Sequence, residues 1–354
     1  MRLRRARTIL IYWQQGRLVF ENYRTQVSIT ARPVVAQILN FFGQWRRPEH
    51  LLAEMAGHSP SSVRAAVRQL IGHTLLVREG TWEARRDALL EKTWSDWLPH
   101  GSFHFGTKDT HFAEARRQAA LLKTYLAESH QPSFFKSYRN KPRLPLPRCP
   151  SREGEFVRAL LTRRTHREFS ARSLSLDAVS QLLFYTWGVM GYLSTPLGRL
   201  AHKTSPSGGA RHPVEVYLAA LNVEGLAPGL YHYNPRSHQL AQLFQGEMRS
   251  KAVEYCARQA YVRNAGALFL MTAVFPRSMW KYRFARAYRV ILLDAGHLCQ
   301  TFCLTATWLG LAPFSTAALK DSLIEKDLGL DGIRESVLYV AGVGVPRALR
   351  CGAP

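Results

Sequence analysis

Apolar residues recur three and four positions apart over 34–43, and again from Pro48 through Leu51, Leu52 and Met55, the spacing that places them on one helical face. Ser59-Pro60-Ser61-Ser62 is a helix-start signal, and Val63, Ala66, Val67, Leu70 and Ile71 then line one face of a third helix. Upstream, the apolar run 9–13 reads as a strand. Residues 75–78 and 81–84 flank Glu79-Gly80 and read as a small hairpin. Three helices followed by a hairpin is the outline of a winged helix, so residues 1–84 are expected to form a winged-helix-like domain. Charged helical sequence follows over 85–130, interrupted at 99–106, and the five prolines of 131–150 mark a linker.

The remaining stretch, 151–354, mixes both periods. Residues 154–163 and 175–188 read as helices, the second capped by Ser175, and 285–309 predicts a long buried helix stopped by Gly310. Val214, Val216, Leu218 and Ala220 alternate with their neighbours as a strand does, 230–233 and 239–244 flank Asn234-Pro235-Arg236-Ser237 as a hairpin, and 268–275 and 336–344 are apolar strands.

Charge changes this picture only at its edges. The 354 residues carry 48 Lys and Arg against 25 Asp and Glu, a net +23 that sets up a field attractive to anions. The basic residues are spread along the whole chain, which a biased codon usage explains as well as a partner does. Arg64 and Arg68 fall on the outer face of the third helix, where a DNA-binding unit would use them, but the same outline serves peptide recognition through an open strand edge beside a helix. Nucleic acid is therefore not the expected partner. Five cysteines without framework spacing fit a reducing cytoplasm, the basic start lacks a signal-peptide core, and no apolar stretch of membrane-spanning length is expected.

Four short stretches concentrate the chemistry. Arg163, Thr165 and Arg167 alternate, so in an extended segment their side chains point one way, towards one ligand. Ser205, Ser207, Gly208, Gly209 and Arg211 combine small hydroxyls with a glycine pair whose backbone N–H groups can approach an anion. Lys281 and Tyr282 pair an ammonium with a phenol, a combination that favours the phenolate and hence a general base. Adjacent residues reach one site only from a loop or a helix start. Gly342, Gly344 and Arg347 end the last strand. His297, Cys299 and Cys303 invite a metal, but His297 lies off the face that carries the two thiols, so core cysteines and no metal site are expected.

Arg163, Thr165, Arg167 and Phe169 fill the pattern that opens the nitroreductase signature, with Thr165 in the place of Ser. The run from Pro206 to Tyr217, the Lys281-Tyr282 pair, Ala287-Tyr288-Arg289 and Leu293 to His297 resemble the SagB-type dehydrogenase branch of that superfamily, which includes the azoline oxidases of peptide natural-product pathways. The resemblance covers about 152–346. It implies an α+β domain with a central mixed sheet flanked by helices, binding FMN at the interface of a homodimer. Arg163, Arg164, Thr165, Arg167, Ser205, Ser207, Gly208, Gly209, Arg211, Gly342, Gly344 and Arg347 are the implied cofactor-binding residues, with Arg350 a second carboxy-terminal candidate for the phosphate. Lys281 and Tyr282 are the implied catalytic pair, Asp294 is expected to pair with an arginine, and Trp97, Phe103, His104, Phe105 and Thr107-Lys108-Asp109 resemble the segment that precedes the domain, His104 packing between domains. The implied reaction oxidises a peptide thiazoline or oxazoline to the aromatic ring. A base such as Tyr282 takes a ring proton, hydride passes to flavin N5 and dioxygen reoxidises the flavin. The implied partners are the precursor peptide, its leader and a cyclodehydratase. An NAD(P)H-dependent reductase of small acceptors and a flavin-sensing DNA-binding regulator are the alternatives.

Overall fold

The computed structural model describes residues 1–112, 115–128, 153–195 and 198–347, so the linker expected at 131–150, Cys149, Arg350 and Cys351 lie outside the described residues. At the amino terminus β1 (Leu3–Arg5) precedes an antiparallel sheet of β2 (Ile9–Gln14), β3 (Arg17–Asn22) and β4 (Val27–Thr30), in that order. Helices α1 (Val34–Phe41), α2 (Pro48–Glu54) and α3 (Pro60–Gly72) follow, then β5 (Leu76–Arg78). Phe20, Ile38, Leu39, Phe42, Leu51, Val63, Val67 and Leu70 close a common core, which is why the helical spacing was legible. Arg64 and Arg68 are exposed on α3, as expected.

The hairpin expected at 75–84 does not form. Thr81 Oγ1 accepts the amide of Ala84 and starts α4 (Trp82–Trp94), while β5 pairs antiparallel with β1, Leu3 facing Arg78. A capping hydroxyl thus outweighs the Glu79-Gly80 turn signal. Nor do residues 99–106 interrupt the helical sequence. They form α5 (Leu98–Gly106), because a proline in the first turn loses no intrahelical bond. The break falls after Gly106, before α6 (Ala115–Glu128). A buried ion pair crosses the expected boundary at residue 84: Arg4 donates to Asp87 at 2.8 Å, and the Arg7 amide donates to the same carboxylate at 2.9 Å.

The carboxy-terminal part contains α7 (Glu155–Thr162), α8 (Leu176–Trp187), the hairpin β6 (Gly191–Thr195) and β7 (Gly198–His202), then β8 (Val214–Ala220), β9 (Gly229–Asn234), β10 (Gln239–Gln245) and α9 (Arg249–Tyr255). It continues with β11 (Ala267–Val274), α10 (Phe275–Met279), α11 (Ala287–Trp308), β12 (Ala312–Thr316), α12 (Asp321–Leu328) and β13 (Glu335–Gly344). The central sheet runs β10-β9-β8-β11-β13-β12. Phe269 and Met271 of β11 pack with α8 and α11 on one face, Leu268 and Leu270 with α9 and α12 on the other. The α+β class holds, with helices on both faces. The sheet itself, expected to be mixed, is antiparallel at every pairing between neighbours. The long crossover through α11 makes β12 run with β11, but β13 inserts between them and is antiparallel to both.

By length and composition α11, with 22 residues, is long and apolar enough to cross a membrane, against the sequence expectation. Within the fold it buries Ile291, Ala295, Leu298, Phe302 and Ala306 in the domain core.

Candidate active site

The glycine loop between β7 and β8 is tied to α11 by its small hydroxyls. Ser207 Oγ donates to Asp294 Oδ2 at 2.6 Å, the Gly208 amide donates to Asp294 Oδ1 at 3.3 Å, and the His212 amide donates back to Ser207 Oγ at 2.9 Å. Ser205 is buried and shares a 2.7 Å hydrogen bond with Thr301. Asp294 was expected to hold an arginine. Its helical position turns it to the loop instead, where burial raises its pKa against the lowering effect of the Ser207 and Gly208 donors.

Both loop glycines are needed. Gly209 has φ +62°, and an ideal Cβ on it would strike Tyr282 Oη and lie 2.6 Å from Lys281 Nζ. A Cβ on Gly208 would strike Val290 of α11. Lys281 and Tyr282 sit in the turn after α10, their amides donating to the Ser278 carbonyl at 3.2 and 2.9 Å. This turn lets adjacent side chains meet, as the sequence required: Lys281 Nζ stands 5.5 Å from the Tyr282 ring centroid. Lys281 is exposed and Tyr282 half-buried.

Sequence reasoning missed what holds this turn. Trp97, 1% exposed, donates its indole N–H to the Tyr282 carbonyl at 2.9 Å. Trp94 likewise donates to the Ile333 carbonyl at 2.9 Å. His104 packs between the two parts as expected, its Nδ1 2.9 Å from Tyr288 Oη, and burial pushes its pKa well down. The aromatic spacing of residues 94–105 carried the signal for a docking segment, but not for its target.

The arginine segment lies further along α11. Residues 163–169 run beside the end of β13, with Phe169 bridged to Pro346 and the His166 amide donating to Pro313 O at 2.9 Å. Arg163 acts electrostatically on Cys303, whereas the glycine loop meets Val290 and Asp294. At the rise of an α-helix these contacts are about 14–20 Å apart. Among the described residues Arg163 and Arg167 have no acidic partner, and Arg167 stands 5.8 Å over the Tyr261 ring. Thr165 is exposed. Arg164 folds back, donating to Leu161 O and Arg163 O at 3.0 and 2.8 Å. Arg347 lies 3.8 Å from Glu168, both well exposed.

The space beside Gly342 and Gly344 is already filled. A Cβ on Gly342 would strike Phe314, and one on Gly344 would lie 2.6 Å from Phe169, so both glycines make room for aromatic packing rather than for a cofactor. Cys299 and Cys303 are buried on one face of α11, and His297 is exposed and away from them.

A sheet covered on both faces, a glycine loop fixed to a central helix and an arginine segment at the sheet end make an α+β domain with two candidate binding elements. Residues 160–345, just over half the chain, match the model of the Nitroreductase family, and the chain belongs to that family. It is 27% identical over 333 residues to the trifolitoxin-processing protein TfxB of Rhizobium leguminosarum bv. trifolii, covering 88% of this chain and 87% of the relative. It is 28% identical over 173 residues to the microcin B17-processing protein McbC of Escherichia coli, covering 45% of this chain and 57% of that one. A chain of the E. coli microcin synthetase McbBCD complex, solved with truncated pro-MccB17 bound, aligns at 23% identity and a TM-score of 0.44, over 67% of this chain and 96% of its own.

Proposed function

We propose that this chain is an FMN-dependent dehydrogenase that oxidises thiazoline or oxazoline rings of a ribosomally made peptide to thiazoles or oxazoles. The observation that carries the reading is the meeting of Lys281 Nζ and Tyr282 Oη at Gly209, which puts a proton acceptor and a cation beside the glycine loop of a nitroreductase-family domain. The two relatives named for processing trifolitoxin and microcin B17 support a peptide substrate.

The residues fit FMN. Arg163 and Arg167 offer forked donors not committed to any described acid, and Gly208 and Gly209 bring the loop backbone close against Val290 and the Lys281-Tyr282 pair, where a side chain would clash. In this reading Arg163, Thr165 and Arg167 hold the phosphate, with Arg347 at the rim, and the 207–211 loop, Arg211 included, borders the planar ring. When bound, FMN supplies the two-electron acceptor. Tyr282 Oη takes the proton lost by the peptide ring, and Lys281 sets a positive charge beside that oxygen. Trp97 holds the Tyr282 backbone.

The functional unit in this reading is a homodimer. The arginine segment and the Lys-Tyr pair stand apart in one protomer, and Phe156, Leu160 and Leu161 of α7 with Leu293 and Trp308 of α11 leave apolar side chains exposed for a second copy. The purified protein should be yellow and release FMN on denaturation. Across a dilution series followed by flavin fluorescence and light scattering, FMN loss and dissociation should coincide. Arg167→Ala should release FMN at higher protein concentration, by about 1.5–3 kcal/mol of lost charge-assisted bonding. A colourless protein that takes up no FMN would remove the proposal.

The amino-terminal unit would bind the leader of the precursor, which a cyclodehydratase partner modifies first in a reducing cytoplasm. Its support is a sheet whose edge strands β2 and β4 have no further strand partner among the described residues, and the exposed Leu10, Ile11, Tyr12 and Trp13 of β2. Ile11→Ser/Trp13→Ser should raise the apparent KM for a full-length precursor about tenfold, the loss of roughly 1.4 kcal/mol of binding, and spare a short leaderless azoline. Equal effects on both substrates would make the unit a brace. Salt-sensitive, sequence-specific DNA binding would favour a regulator instead.

A further inference from the structure

Beside the Lys281-Tyr282 turn, and separate from the arginine segment, lies an open cleft of about 500 Å³ between the β6–β7 hairpin, the glycine loop and the start of α10, within the range of pockets that seat small ligands. Arg199, Lys203, Arg211, Arg236 and Arg277 line it, with Glu215 the one carboxylate among the lining residues. Glu215 is already engaged: it accepts from Arg277, and His232 Nε2 stands 2.8 Å away. Burial acts to raise its pKa, but the His232 hydrogen bond and the Arg277 charge and hydrogen bond prevail and bring it down to about 2. The other four cations form no salt bridge among the described residues, although Glu215 acts electrostatically on Lys203. Arg199 lies 4.6 Å over the Tyr192 ring and Arg211 4.8 Å over the Trp280 ring, so both guanidinium planes are held by aromatic faces with donor edges left over.

The cleft is built rather than incidental. Arg211 Nε donates to Arg277 O at 3.0 Å, and Arg277 also donates to His212 O at 3.2 Å. Gly209, Ala210 and His212 all have positive φ, a strained path that turns the loop at the cleft wall. Burial lowers the Lys203 ammonium from its ordinary pKa, with the Arg277 charge adding to the lowering and the Glu215 carboxylate only partly opposing it. His212 is pushed down to about 4 by burial and by Lys203, and its Nε2 lies 3.0 Å from Ala201 O, tying the loop to β7. The cleft and the Lys-Tyr pair share a wall, since Ala210 follows Gly209 and Trp280 precedes Lys281.

We infer that this cleft binds carboxylate side chains of the peptide that flank the reacting ring, so that the substrate is an acidic segment lying from the Lys281-Tyr282 turn towards β7. The inference rests on the reading of a peptide substrate. A peptide suits the cleft because separated cations face an open trough with apolar walls at Val189 and Tyr192. That arrangement matches several single charges on an extended chain.

The test uses the full-length protein and fluorescein-labelled Gly-Glu-Gly-Asp-Gly-Glu-Gly, with a Gln/Asn twin, followed by anisotropy at low salt. The acidic peptide should bind at least about tenfold more tightly than the twin, and Arg199→Gln/Lys203→Met should remove most of that difference, the scale of two partly screened charged contacts. Arg32→Gln/Arg172→Gln, exposed and outside the cleft, carries the same charge change and should leave binding within about twofold, which controls for the field of a +23 chain. Equal loss in both pairs, or no preference over the twin, would overturn the inference. So would displacement of the peptide by NADPH whose own binding needs Arg199 and Lys203, because the cleft would then serve a dinucleotide phosphate. Acid-selective binding lost in the cleft pair, in a protein that fails to oxidise any azoline, would keep the cleft and remove the reaction. Azoline turnover without acid selectivity would do the reverse.

Discussion

Tyr282→Phe should slow azoline oxidation by about 10²–10⁴-fold, the range set by a positioned general base, while FMN content and fold stay as they are. The phenol oxygen is the group at issue. It faces Gly209, its backbone is held by Trp97, and the substituted ring would keep its packing against Phe284, 5.8 Å away. Lys281→Ala should fall in the same range because its Nζ comes to the same glycine. The double variant should be little slower than either single one, as for two groups that act as a unit. Single-turnover flavin reduction with a synthetic azoline reads the chemical step directly. A Tyr282→Phe enzyme that reduces its flavin at the normal rate would take Tyr282 out of the mechanism and favour a reductase of small acceptors.

The helices were legible where a cap and an apolar stripe agreed. Ser175 caps α8 by accepting the Ala178 amide, and Gly310, at φ +71°, ends the α11 turn. Elements defined by distant partners were not. The three-residue β1 gave no signal, and the pattern gives the strand read at 75–78 the wrong partner, because β5 pairs with β1 across more than 70 residues of chain; β12 carries Pro313, which an edge strand tolerates and a pattern reading discards. The site shows the same division. The convergence of Lys281 and Tyr282 followed from local geometry, since neighbours meet only in a turn. The Asp294 bonds to Ser207 and Gly208, the Trp97 bond to Tyr282 and the cleft at Lys203 depend on how separate elements dock, which no local period encodes.

The docking itself should be vulnerable at Lys108, which lies in the segment that carries Trp97 and His104. Lys108 Nζ lies 2.6 Å from both oxygens of Glu325, with side-chain exposures of 10% and 8%, and Ser336 Oγ also donates to Glu325. Lys108→Met strands a buried carboxylate and should cost about 3–5 kcal/mol near neutral pH. The cost should shrink on acidification. Burial raises the Glu325 pKa in the fold, with Lys108 as the largest opposing influence, so the folded state binds that proton more tightly than the unfolded chain does. Its contribution to stability is therefore full below the ordinary carboxylate pKa of about 4.3 and is lost as pH rises through the elevated folded value. Removing Lys108 moves that folded value higher and deepens the loss at neutral pH. Urea midpoints at pH 4 and pH 7 should show the larger deficit at pH 7, and Lys108→Met/Glu325→Gln should recover most of it, because the second change removes the stranded charge. A deficit equal at both values would mean that lost packing, not the buried carboxylate, holds this segment against α12.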